Sequence, residues 1–147
     1  MLNIIVIGAG MYSIGRGTDG FGTILPSIGE WKRNGGDVGK VVFVSTNFES
    51  SKIVLEKSNK LRNETGIELD IEAFPKKEGH YHSAYKEIIY SIPKPACVII
   101  VVPDHLHYQV AKDCLEANLA VLIVKPLTPT VGEGKELVEL AEKNNLY

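Results

Sequence analysis

The chain has very little cysteine. Two occur in 147 residues, Cys97 and Cys114, each inside an apolar stretch. That pattern argues against a disulfide framework or a cysteine-based metal pair, and it reads as two small buried hydrophobes. A reducing, cytoplasmic setting follows as an expectation. No apolar run approaches the ~18 residues needed to cross a bilayer as a helix. Nor is there a basic run or stripe: 16 Lys and Arg are mixed with 18 Asp and Glu, for a net charge of −2. A nucleic-acid footprint is therefore not expected. No basic region precedes the apolar N-terminus, which argues against a signal peptide. Internal repeats and low-complexity linkers are also missing, so one domain is expected. A chain of this length can bury about 68–70% of its unfolded surface.

What is present begins at residue 1. Met1-Leu2-Asn3-Ile4-Ile5-Val6-Ile7 runs directly into Gly8-Ala9-Gly10. A short apolar run reads as a buried strand. A Gly-x-Gly at its end allows a sharp turn and close approach of backbone to a pyrophosphate. By itself the motif is also compatible with an ordinary tight turn.

Strand and helix patterns then alternate. Strands are expected at Ile4–Ile7, Val41–Val44, around Ile67, Leu69 and Ile71, at Cys97–Val102 and at Ala120–Val124. Helices are expected over Thr23–Lys32, Glu49–Arg62 and Ala84–Ser91, from Asp104 as N-cap to Asn118, and from Thr130 onward. Thr130-Val131-Gly132-Glu133 is a capping box. The continuous apolar runs mark central parallel strands. The alternation implies an α/β fold: a Rossmann-type, doubly wound parallel sheet of order 3-2-1-4-5 in a three-layer αβα sandwich. Strand five would then be an apolar sheet edge that must pair with another chain or be covered by the final segment. A full fold of this type adds a sixth strand, so the chain is expected to be one domain, residues 1–147, of something longer.

The candidate binding residues fall at strand ends. The glycine loop offers Gly8 and Gly10, then Met11 and Tyr12, then Ser13 at the third small position. Four more glycines follow between Ile14 and Gly22. They read either as a surface insertion or as a wider phosphate cradle, with Arg16 able to neutralise a phosphate. The end of strand two, Val44-Ser45-Thr46-Asn47, offers neutral groups where an acid usually meets the ribose hydroxyls, so repulsion of a 2′-phosphate is removed. That leans towards NADP or dual use, and Glu49 is the alternative ribose contact. Strand four ends in Val102-Pro103-Asp104-His105-Leu106-His107 and strand five in Val124-Lys125-Pro126-Leu127. Both ends fall on the carboxyl edge of the sheet, where ligands bind in such folds. His80 and His82 lie in a polar loop with no third ligand evident, so no metal site is expected.

The two strand-end segments together resemble the glucose–fructose oxidoreductase / inositol dehydrogenase (Gfo/Idh/MocA) family. That family pairs Pro-Asn-x-x-His with a later Glu-Lys-Pro-Leu-Ala, after an opening Gly-x-Gly-x-x-Gly. The resemblance covers essentially the whole chain. It implies a nicotinamide cofactor, NAD or NADP, and a hydride transfer to or from a carbinol carbon of a sugar or cyclitol-like substrate. It places Pro103 and Asp104 on the nicotinamide side, counts Val102 and Pro126 among the cofactor-binding residues, and matches His107, likewise cofactor-binding, to the family's helix histidine. It assigns Lys125 to cofactor and substrate contact and to proton transfer. Two departures stand out: Asp104 replaces the usual Asn, and Val124 the usual Glu. The family's second, β-rich substrate domain has no counterpart here, so the chain alone is expected to be inactive, and a homo-oligomer is compatible with it. A non-catalytic dinucleotide-binding sensor is the alternative reading. A methyltransferase is disfavoured by the Lys-Pro motif and the neutral end of strand two.

Overall fold

A computed structural model describes all residues from Met1 to Tyr147. The sheet contains five parallel strands in the order β3-β2-β1-β4-β5. These are β1 (Leu2–Ile7), β2 (Val38–Val44), β3 (Asp70–Phe74), β4 (Ala96–Ile100) and β5 (Ala120–Ile123). The helices are α1 (Met11–Ile14), α2 (Ile24–Arg33), α3 (Phe48–Thr65), α4 (Ala84–Ser91), α5 (His107–Glu116) and α6 (Val131–Lys143).

The period-two geometry of β1 explains the layering. Successive side chains point to opposite faces, so Ile4 and Val6 enter one core and Ile5 and Ile7 the other. The first core collects Ile24, Leu25 and Ile28 of α2 with Val54 and Leu61 of α3. The second collects Ile88 and Ile89 of α4, Val110 and Leu115 of α5 and Leu137 of α6. Each such side chain, fully buried, contributes roughly 1.5–3 kcal/mol. This is the three-layer arrangement expected from the sequence.

Local signals mostly act as expected. Asn118 takes a positive φ of 57° after α5. Thr130 and Glu133 form the reciprocal capping box of α6. Cys97 and Cys114 are free thiols, half-buried and buried. Burial, reinforced by the Asp113 carboxylate, pushes the Cys114 thiol up to about 12. The edge at β5 is partly covered by the final segment, because the Val121 N–H donates to the Tyr147 carbonyl at 2.7 Å. No helix is long and apolar enough to cross a membrane.

Two expectations are corrected, and a third, left open, is resolved. The ladder of β3 begins at Asp70 opposite Lys40, not at Ile67. Ile67 is buried beside Gly29 of α2, so its apolar character serves helix packing before the strand starts. Asp104 does not cap α5. It opens a short 3-10 turn, Asp104–Leu106, and α5 starts at His107 without a side-chain cap. Of the two readings of the glycine-rich loop, the structure takes the surface insertion, with only Arg16 of the loop lining the cleft. α1 stops at Gly15, and the Thr23 N–H donates to the Tyr12 carbonyl at 2.6 Å. Residues 15–22 thus bulge out of what is otherwise a nearly continuous helical path. Lys57 and Lys60 of α3 hold the bulge by donating to the Thr18, Gly20 and Asp19 carbonyls. Its neck is tight: a Cβ on Gly22 would stand 2.6 Å from Gly15 N and from the Met11 and Tyr12 carbonyl oxygens.

Candidate functional site

The carboxyl ends of β1, β2 and β4 open into one cleft of about 270 Å³. A larger hollow lies between the ends of α2 and α3, lined by Lys32, Arg33 and residues 65–71. It is shallow, and Lys32 and Arg33 are turned to the Glu68 and Thr65 carbonyls. The smaller cleft holds the strand-end residues and is the one that matters here.

Gly8 and Gly10 both line this cleft, for different physical reasons. Gly8 has φ +111°, and a Cβ there would stand 2.8 Å from the Val101 carbonyl carbon and closer still to its oxygen. The fold itself requires that glycine. Gly10 has an ordinary extended backbone, φ −92° and ψ −167°, and a Cβ there would meet nothing within 4 Å. No protein contact explains Gly10. The open space above it fits a group that must approach the main chain closely, such as a pyrophosphate. Gly10→Ala should therefore leave the denaturation midpoint nearly unchanged, a shift under ~1 kcal/mol, while weakening dinucleotide binding at least tenfold by titration. Unchanged affinity would remove Gly10 from the site.

The β2 end forms the second wall. Asn47 caps α3, its Oδ1 accepting from Ser50 N and Ser50 Oγ, both at 2.9 Å. Arg16 leaves the base of the glycine bulge and donates to Ser50 Oγ at 2.7 Å. The cap thus commits the Asn47 oxygen and leaves its amide nitrogen as donor. Thr46 and Ser45 complete this wall, and no Asp or Glu lines any part of the cleft. Glu49, the alternative ribose contact, is ion-paired with Lys52 instead.

The remaining predicted residues are distributed unevenly. Val102 and Pro103 line the cleft beside the β4 end. Met11 and Tyr12 are exposed and lie outside its lining. Ser13 is wholly buried, its hydroxyl without a hydrogen-bond partner. Asp104, Lys125 and Pro126 are exposed on the carboxyl edge, outside the lining. His107 is fully buried. Its Nδ1 stands 2.6 Å from the Pro126 carbonyl oxygen and its Nε2 2.9 Å from that of Val102. It joins the segments following β5 and β4 rather than facing the cleft.

The structure also adds residues. Ser50, Tyr81, His82, Tyr85, Leu106 and Val110 belong to the lining. Ser50 had a readable signal, since Asn-x-x-Ser at a helix start is a capping pattern. Tyr85 is held by Asp113, which accepts its hydroxyl at 2.6 Å. Burial, then that hydrogen bond, raises the Tyr85 phenol and keeps it protonated. No group of three or more His, Cys, Asp or Glu side chains is placed to hold a metal ion.

A parallel 3-2-1-4-5 sheet with a glycine-lined cleft at the end of its first strand defines a dinucleotide-binding Rossmann domain. Residues 2–147 match the oxidoreductase family GFO_IDH_MocA, NAD-binding Rossmann fold, and the chain belongs to that family. It is an NAD(P)-binding oxidoreductase domain. An uncharacterized oxidoreductase, C26H5.09c, from Schizosaccharomyces pombe is 49% identical over 49 residues, which is 33% of this chain and 13% of that protein. Among solved structures, an NAD-binding oxidoreductase from Klebsiella pneumoniae superposes with a TM-score of 0.66 at 17% identity, over 99% of this chain and 32% of that one. The 3-ketoreductase KijD10 from Actinomadura kijaniata, solved with NADP and TDP-benzene, gives 0.66 at 18%, over 99% and 35%. At these identities the structural likeness is one of fold. The chain spans about a third of the length of these solved proteins.

Proposed function

We propose that this domain binds NADP(H) in preference to NAD(H). We further propose that it serves an oxidoreductase acting on a carbinol carbon of a sugar or cyclitol-like substrate. The observation that carries the cofactor preference is the acid-free cleft with Arg16 on its β2 wall. A carboxylate there would repel a 2′-phosphate, whereas a guanidinium attracts one. KijD10, a 3-ketoreductase, was solved with NADP, which is compatible with the cofactor assignment.

In this reading Gly10 lets the pyrophosphate approach the main chain, and Val102 and Pro103 wall the nicotinamide side. The nicotinamide, when bound, supplies or accepts the hydride. Lys125 follows β5 on the same edge and is the candidate to take or return the hydroxyl proton, a role worth ~10²–10⁴-fold where a positioned group fills it. Substrate recognition falls to residues beyond this chain, so the domain alone binds cofactor without turnover. One observation favours a binding or sensing module instead: Lys125 lies outside the cleft lining, and Val124 offers no carboxylate beside it.

The test is a titration of NADPH and NADH into wild type and Thr46→Asp. Wild type should bind NADPH more tightly. The new carboxylate should shift the ratio of dissociation constants towards NADH by about tenfold, or ~1.4 kcal/mol. A ratio that does not move would take Thr46 away from the ribose. A wild type that binds neither cofactor at millimolar concentration would overturn the assignment.

A further inference from the structure

The polar loop between β3 and α4 folds back over the cleft. The Tyr81 N–H donates to the Thr46 carbonyl at 2.7 Å, and His80 bridges to Asn47 in antiparallel fashion. The Tyr81 hydroxyl donates to the Glu78 carbonyl at 3.1 Å, closing the loop on itself. Gly79 makes this possible. Its φ is +130°, and a Cβ there would stand 3.1 Å from the Tyr81 ring. The loop is thus tied through its main chain to Thr46 and Asn47, which follow β2. That tie brings His82, an exposed residue, into the lining that also contains Arg16, Thr46 and Ser50.

We propose that His82 is a specificity residue for the cofactor, supplying an imidazole N–H to the ribose 2′-phosphate alongside the Arg16 guanidinium. This rests on the NADP(H) reading above. Arg16 is partly engaged by Ser50, so a phosphate held there gains from a second donor. His82 and Arg16 are the only lining residues whose side chains can carry positive charge, and no Asp or Glu is in the lining to oppose them. The loop pairs with Thr46 and Asn47, the residues nearest the expected ribose, which ties the position of His82 to the same wall.

The test compares NADPH, NADH, 2′-AMP and 5′-AMP binding to wild type, His82→Leu and Gly79→Ala. His82→Leu should weaken NADPH and 2′-AMP five- to tenfold and leave NADH and 5′-AMP within twofold. Gly79→Ala, which displaces the loop without touching His82, should reduce the same preference while the far-UV spectrum and melting transition stay near wild type. If wild type prefers NADPH and both variants keep that preference in full, the role of His82 is overturned and the cofactor reading stands. Equal weakening of all four ligands by His82→Leu also overturns the role, since it would not depend on the phosphate. A wild type without NADPH preference overturns the reading and the inference together.

Discussion

Gly8→Ala should abolish folding of the domain or cost more than ~4 kcal/mol, at the extreme of single substitutions. Two penalties combine. The residue sits at φ +111°, where a side chain is strained, at a cost of order 1–3 kcal/mol. The added Cβ also enters the Val101 main chain. Val101 cannot yield cheaply, because its N–H donates to the Ile7 carbonyl at 2.8 Å, while the Gly8 N–H donates to Val44 at 2.8 Å. Gly8 is therefore clamped between β2 and β4 at the centre of the sheet. Typical domains have only ~5–15 kcal/mol of stability to lose. The measurement is soluble yield and urea denaturation beside Gly10→Ala. A Gly8→Ala protein melting within a few degrees of wild type would show that the end of β1 can relax, contrary to this packing. The pair separates the two glycines of one motif: the sheet demands the first, while no protein contact demands the second.

Which features were legible in the sequence follows from how local their causes are. The strand order, the α6 capping box and the end of α5 before Asn118 depend on residues close together in sequence, or on hydrophobic runs that only a sheet interior can accommodate. The start of β3 was misplaced because Ile67 answers to Gly29, far away in sequence. The sequence leaves the glycine bulge open between a surface insertion and a cradle for a similar reason. Its shape is fixed by Lys57 and Lys60, which reach main-chain carbonyls, and nothing in a lysine's identity announces that partner. The fold-back of Tyr81 and His82 is equally invisible, since it depends on a main-chain bond to Thr46. Gly8, Gly10 and Arg16 of the glycine loop, Thr46 and Asn47 after β2, and Val102 and Pro103 from the family resemblance all line the cleft. His107 shows the limit of a resemblance. It matches the family's helix histidine by position, yet its ring is wholly buried and spans the Val102 and Pro126 carbonyls.

That inward histidine gives the second large expected effect. His107→Ala should destabilise the domain by about 3 kcal/mol, combining the cavity left by a wholly buried ring with the loss of a donor to main-chain carbonyls. For a domain of this size that is a fall of roughly 10 °C in Tm. The effect should not be uniform. The ring spans the Val102 and Pro126 carbonyls, so it ties the Lys125-Pro126 segment to the outlet of β4. Its removal should speed amide exchange at Lys125 and Leu127 more than in β1 or β2. His107→Gln, which keeps one donor, should fall between wild type and Ala in both readouts. On the proposed function, in a longer protein carrying this domain a loosened Lys125 should lower kcat more than it raises KM for the cofactor, because Lys125 lies outside the cleft proposed for the dinucleotide. If His107→Ala lowers Tm while exchange at Lys125 and Leu127 stays at the wild-type rate, His107 fills the core without fixing that segment. The alignment of Lys125 would then have to come from elsewhere.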